Sequence, residues 1–522
     1  MKPVSRHLLR VLLTVPGVMT FLLGLETTVH AQRNVLAQRT AKLEVHQKRQ
    51  QSLERDFQKK LLSIADKLLA QGEPQNAKSV RDLARKVTFD IHRIEPLPHN
   101  IRKPLSLNLP ARERAWRSDV RRAQSDYANQ LFSLSRRALH DGLVSYAYRL
   151  IREVARHDSD HPAARRLLGY VRYNDRWVTP FEKSKLMRRE VWHPKFGWLP
   201  EAHVENYNKG LRYYQPKNSR RGRWITADRD ATLHADFRTP WIIRTEHYLI
   251  KTNHSLERGV EIATKLEDYY QFFFQTFAGF FNSREQMRKL FSGTSRRSSR
   301  DSRPYLIHYY KTKDEYVKAL IRTIPQIEIT NGLYLTDPRT AYFFHNPAVT
   351  TDHTLYHEAT HQIFYESLPT RRLIAHQANF WIVEGIACYM ESFRRKGNSF
   401  SLGDPNYPRF VAAKYRYVTS RYYVPLQKFA QMGMRDFQND PNIKPNYSQA
   451  SGLAKFFMEY DGGRYRDALI EHLSQIYRAG SRRFLRVQSL AALTGVPYKT
   501  LDEQYGKFIQ NMKTDRAIPG TR

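Results

Sequence analysis

Between Thr350 and Leu368 the chain has neither proline nor glycine, and His357 and His361 stand four residues apart inside that stretch. Leu355, Ile363 and Phe364 give it apolar positions at helical spacing, so a helix is predicted. Residues four apart share one helix face. Two imidazoles placed so can hold a single zinc ion at about 2.0–2.1 Å. Glu358 lies about 100° further round the same turn, where it can reach a metal-bound water without being a ligand.

The third ligand is harder to place. An extended histidine motif would want glycine and histidine where Phe364 and Ser367 stand, so that subclass is rejected. His353 continues the stripe, but it lies two helical turns, about 12 Å, from His361 and cannot share one tetrahedral ion with it. His376 falls in a polar connection and stays open. Glu384 is the better candidate. It follows Trp381, Ile382 and Val383 and precedes Ile386 and Ala387. A carboxylate in such an apolar run is costly unless it is paired or coordinates a metal. The alternative is a capping carboxylate at a helix start. Glu391, two turns on, is a supporting group or a spare ligand.

His357-Glu358-x-x-His361 followed by Trp381-x-x-Glu384-Gly385-x-Ala387 resembles the gluzincin branch of zinc metallopeptidases. It is also similar to a family of exported bacterial proteins with a peptidase-MA-like domain behind a helical region. The resemblance covers about residues 240–512, and its specific part is the two motif helices. It implies zinc held by His357, His361 and Glu384, peptide hydrolysis with Glu358 as general base, and a strand-plus-helix subdomain ahead of the site. Tyr447, opening a later helical segment, resembles the tyrosine that related folds bring over the zinc, where it would serve as a donor to the oxyanion. Two departures stand out. The motifs are separated by 22 residues, somewhat more than in thermolysin-like relatives, and Cys388 stands where those enzymes place an acidic partner for a ligand histidine. Asp352 and Glu391 are the candidates for that support.

Cys388 is the only cysteine in 522 residues, which excludes an internal disulfide and a cysteine-based zinc finger. A core of this size makes disulfides dispensable. Residues 1–31 read as a signal peptide. Lys2, Arg6 and Arg10 precede the mostly apolar run Val11–Leu25, and Val29-His30-Ala31 suggests cleavage before Gln32. The run is shorter than the roughly 20 residues that span a bilayer, so no transmembrane anchor is expected after cleavage. The expected location is periplasmic, cell-surface or extracellular.

The net charge of +36 falls to +34 without residues 1–31, which hold three basic residues and Glu26. Such a field favours polyanions, an acidic cell-wall polymer among them. No nucleic-acid module is recognisable, so no specific nucleic-acid partner is expected.

The fold class expected is α+β: a mostly helical N-terminal region, then a zincin-like metallopeptidase domain of a small mixed sheet plus active-site helices. Residues 32–110 read as a basic helical segment with a proline-rich linker, and 111–173 as a helical hairpin of tetratricopeptide type. Residues 174–240 form a Trp-rich connecting segment. In 241–512, strands are expected at 247–252 and 305–310, with a helix from Ser255 to about Phe281. The polar stretch Ser283–Arg303 reads as a loop, and a hairpin over Gly332–Phe344 would be the edge lining the site. Residues 513–522 read as a disordered tail. Two functions fit: a peptidase acting on peptide or protein, or a non-catalytic basic binder of acidic polymer with a vestigial or structural metal site.

Overall fold

The structure, a computed structural model, describes residues 16–87, 93–216, 219–282, 284–292, 303–348, 352–368, 374–397, 399–478 and 487–515, with side chains from residue 41 on. Lys2, Arg6 and Arg10 of the expected signal peptide lie outside these residues, as do most of the tail and the second half of the Ser283–Arg303 stretch. No helix among the described residues is long and apolar enough to cross a membrane. The chain mixes helices with small sheets and is predominantly helical.

Two helical hairpins open it: α1 (Pro16–Ala70) with α2 (Pro74–Arg85), and α3 (Ala111–His140) with α4 (Val144–His157). They are built alike. Each turns at a glycine of left-handed φ, Gly72 at +80° and Gly142 at +83°, a conformation that disfavours any residue with a Cβ. The amide two residues past each first helix bonds back to it, Gly72 to Leu69 and Gly142 to Leu139. An alanine five residues on, Ala77 or Ala147, is fully buried. Leu53, Phe57, Leu61 and Leu68 of α1 pack against Tyr127, Leu131 and Leu134 of α3 in one core.

Between the hairpins, the proline-rich linker forms strand β1 (Arg93–Ile94). The Trp-rich segment, expected as a loop-rich connection or a small β module, is a run of three β-hairpin–helix units. Strands β2 (Val171–Tyr173) and β3 (Arg176–Val178) precede the helix Pro180–Met187. Strands β4 (Glu190–His193) and β5 (Gly197–Pro200) precede Val204–Asn208. Strands β6 (Leu211–Tyr214) and β7 (Arg223–Thr226) precede Ala227–Leu233. Trp177, Trp198 and Trp224 sit on the second strand of each hairpin, which marks the repeat in the sequence. The boundary drawn at residue 173 cuts the first of these hairpins.

A five-stranded sheet follows, ordered β11-β12-β10-β9-β8. Its members are β8 (Trp241–Arg244), β9 (Tyr248–Thr252), β10 (Tyr305–Tyr310), β11 (Gly332–Leu335) and β12 (Thr340–Phe344). Strands β9, β10 and β12 are parallel, and the two edges run antiparallel to their neighbours. Of the expected hairpin only β11 is an edge, because β12 lies between it and β10. One face of the sheet (Ile250, Ile307, Phe343) packs on α5 (Leu256–Thr276), which Ser255 caps. The stretch expected as loop starts with a helix, α6 (Arg284–Ser292), because Met287 and Phe291 recur at helical spacing and bury against the N-terminal hairpins. The other sheet face (Tyr310, Tyr342, Phe344) is covered by α7 (Lys313–Leu320).

Helix α8 (His353–Ser367) leads to α9 (Phe380–Met390), and strands β13 (Arg394–Lys396) and β14 (Ser399–Ser401) follow directly. Strand β1 pairs with β14, so the linker strand from the N-terminal region completes a sheet at the end of α9. Helix α11 (Ile443–Gly463) packs along α9, and α10 (Pro408–Val418) and α12 (Arg466–Arg478) pack on α11.

Phe280 ties these layers together. It is fully buried and meets Phe364 of α8 at 4.6 Å and Tyr477 of α12 at 5.6 Å between ring centroids. Phe280→Ala is expected to cost about 3–5 kcal/mol, read as a lower denaturation midpoint. A loss under about 1 kcal/mol would show that the ring is not part of the packed core.

Candidate metal centre

Helix α8 lies along the edge strand. A Cβ on Gly332 would stand 2.7 Å from Thr354, and Tyr334 donates its backbone N–H to Glu358 at 2.8 Å and its hydroxyl to Glu366 at 3.3 Å. From below, Thr360 is bonded to Tyr269 of α5 at 2.5 Å. These contacts fix the rotation of α8 and turn His357 and His361 toward α9.

Helix α9 is buried on nearly every side, which suits its continuous apolar run. Gly385 has a specific role there: a Cβ at that position would lie 2.6 Å from the backbone oxygen of Ala450 in α11. Its absence lets α11, which carries Tyr447, approach the turn that carries Glu384.

The three expected ligands converge. His357 Nε2 and His361 Nε2 are 3.1 Å apart, and Glu384 oxygens lie 3.5 Å from the first and 3.7 Å from the second. Ligands about 2.0–2.1 Å from a tetrahedral ion would sit roughly 3.3–3.4 Å apart. The donor set therefore fits one small cation. The side chains of His357 and His361 keep 15% and 18% of their surface, so the group is reachable from solvent. Tyr447 joins it, donating its hydroxyl to Glu384. Glu358 stays outside the ligand group, held by the edge strand.

The support for His357 comes from Glu391, which takes its Nδ1 at 2.8 Å. Asp352 does not serve: it pairs with Lys265 at 3.0 Å, a lysine that α5 places above the start of α8. Glu391 also accepts both nitrogens of Arg409 at 3.0 Å and the Tyr407 hydroxyl at 2.6 Å. Arg409 and Tyr407 left no sign in the sequence beyond a proline-started helix. His353 is bound to Tyr407 and Arg394, and His376 is exposed. Neither belongs to the metal-ready group.

A second cluster, His357 with Cys388 and Glu391, also has ligand atoms within 4.8 Å of one another. Its chemistry differs. The Arg409 guanidinium already occupies Glu391, and a cation there would face that fixed charge. Burial pushes the Cys388 thiol up, away from the thiolate a metal requires.

The titrations follow from the same contacts. Burial opposes charge on Glu391, yet His357 and Arg409 bring it down to about 2. Burial likewise opposes charge on Glu384, and His361, His357 and Tyr447 hold its carboxyl below the usual range. His361 is lowered, by burial first, while contacts with Cys388, Glu384 and Glu391 overcome burial to raise His357. With Nδ1–H given to Glu391, His357 would bind a cation by giving up the proton on Nε2, the nitrogen that faces Glu384 and His361.

Compared with known proteins, the chain matches no family model and no curated protein sequence.

Glu391→Gln is expected to weaken metal binding about 10–100-fold, measured by competition with a chelator, while Asp352→Asn changes it less than about twofold. Equal effects would remove Glu391 from its role. The metal-free protein should also lose stability as pH falls. Glu391 has a depressed folded pKa, so its contribution is present above about pH 4.3, the unfolded value, and is lost toward about 2. Glu391→Gln should flatten that part of the acid denaturation curve.

Proposed function

We propose that the chain is an exported zinc-dependent metallopeptidase of gluzincin type, with His357, His361 and Glu384 as metal ligands and Glu358 as general base. The observation that carries this reading is the convergence of three ligand atoms within 3.1–3.7 Å, with Glu358 one residue from a ligand and outside the set. The edge strand β11 beside α8 supports a zincin-like arrangement for residues 241–512. Export rests on the sequence of residues 1–31.

Zinc held there would lower the pKa of a bound water to about 7 and polarise a scissile carbonyl. Glu358 takes the proton of the attacking water and passes it to the leaving amine. Its bond from the Tyr334 amide aims the carboxylate before substrate arrives. The Tyr447 hydroxyl has one hydrogen, which Glu384 holds at rest; turned to the carbonyl oxygen, it would supply a donor where charge develops. An extended peptide could pair with the outward groups of β11 other than the Tyr334 amide, which Glu358 holds; that would position it by backbone rather than side chain.

Glu358→Gln should leave zinc content and fold intact while cleavage of a mixed peptide library, read by mass spectrometry, falls about 100- to 10,000-fold. Glu384→Gln should instead lower zinc occupancy, with activity partly recovered in excess zinc. Full activity in Glu358→Gln would end the mechanism. A zinc-loaded wild type that cleaves nothing would transfer the chain to the polyanion-binding class.

A further inference from the structure

A second group of side chains gathers at the C-terminal ends of the three parallel strands. His254 follows β9, Lys311 follows β10, His345 follows β12, and Arg258 stands in the first turn of α5. The rings of His254 and His345 meet edge to face at 4.4 Å. Lys311 and Arg258 are close enough that both, with His345, act on the charge state of His254. Strand ends of an open parallel sheet form a crevice where ligands commonly bind.

The hydrogen bonds decide what kind of ligand fits. The Nε–H of Arg258 donates to the Tyr309 hydroxyl at 3.2 Å. That hydroxyl also lies within hydrogen-bond reach of His345 Nδ1, at 3.3 Å. The Ser255 hydroxyl accepts from the Arg258 backbone amide and lies 3.2 Å from His254 Nδ1. With a hydroxyl beside Nδ1, each imidazole can accept there and present Nε2 as an N–H donor. Donor nitrogens do not ligate a metal, and neighbouring Arg258 and Lys311 repel a cation.

The local carboxylates are committed elsewhere. Glu261 is shared by Arg258 at 2.7 Å and Lys265 at 2.8 Å, Asp352 holds Lys265, and Glu315 accepts from Asn253 at 2.8 Å. Among the described residues, neither Lys311 nor either histidine has a hydrogen-bonded or ion-paired carboxylate; Glu261 acts on His254 less than the three basic groups do. Burial and the three basic neighbours push His254 down to about 4, so its ring is neutral near pH 7.

We propose that this crevice binds a phosphate-class oxyanion between His254, Arg258, Lys311 and His345. Two N–H donors and two cationic groups match the oxygens and charge of a phosphate dianion better than those of a single carboxylate. The site does not depend on the peptidase reading, since it shares no residue with the metal ligands.

The test is a phosphorus-31 NMR titration of the full chain with inorganic phosphate at constant ionic strength, with acetate as competitor. Replacing Arg258 and Lys311 together by Gln is expected to weaken phosphate about tenfold or more, as loss of charge-assisted hydrogen bonds does. A charge-matched control, Arg112→Gln with Arg122→Gln on the exposed face of α3, should stay within about twofold. Lys311 is exposed, so Lys311→Gln alone, expected to weaken binding about threefold, keeps the test valid if the double variant misfolds. His345→Gln should weaken binding without any change of charge. Equal weakening in the control and the crevice variant would mean an adventitious ion only on a basic surface, and overturn the proposal. So would a wild type that binds no phosphate, or one from which acetate displaces phosphate at equal concentration.

Discussion

The burial of Glu384 inside an apolar helix is the constraint around which the second half of the chain is organised. Taking an unpartnered carboxylate out of water costs several kcal/mol, and α9 offers it nothing from its own sequence. Every partner comes from another element: His357 and His361 from α8, Tyr447 from α11. The charges then alternate outward. Glu384 faces His357, His357 faces Glu391, and Glu391 is closed by Arg409. Arg409 answers Glu391, so Glu384 is left with two imidazoles and a phenol. A cation at the point where their lone pairs meet completes that balance.

The geometry is held by rigid elements rather than loops. Aromatic rings from α5 and the short helix after it, Phe273, Phe277 and Phe280, close around Phe364 one turn beyond His361. The Tyr334 amide and the Thr360 hydroxyl fix α8 from above and below. Gly385 removes the one atom that would keep α11 away. Ligand groups set on helices that are themselves locked by packing hold their positions to within the tolerance a metal demands.

Features carried by local spacing were legible in the sequence. The paired histidines, the misplaced glutamate, the strands β9 and β10 and the Ser255 cap all depend on residues a few positions apart. Glu391 could be suspected for the same reason, being two turns past Glu384. Arg409 and Tyr407 could not, because their contact with Glu391 is made only after the β13–β14 hairpin returns the chain. Asp352 illustrates the opposite error. It is next to the motif in sequence, yet Lys265, from α5, claims it. The hairpin–helix units were missed because their strands are only three or four residues long, too short for alternation to register. Cation–aromatic contacts, Arg212 over Phe196 at 4.4 Å and over Tyr207 at 5.3 Å, hold neighbouring units together instead.

Histidine does opposite work in two places, and the neighbour at Nδ1 decides which. At His357 that neighbour is the carboxylate of Glu391, which can only accept, so Nδ1 keeps its hydrogen and Nε2 is the nitrogen that can release its own to a cation. At His345 and His254 the neighbours are hydroxyls that accept from Arg258 and can donate to Nδ1, which frees Nε2 to carry the hydrogen. The surrounding charge agrees with each assignment. Glu384 and Glu391 stand around His357, whereas Arg258 and Lys311 stand around His254. A chain with a net charge of +36 can therefore build a centre that attracts a cation only by gathering carboxylates and closing the surplus with one arginine. Where it gathers none, the same residue type becomes a donor to anions.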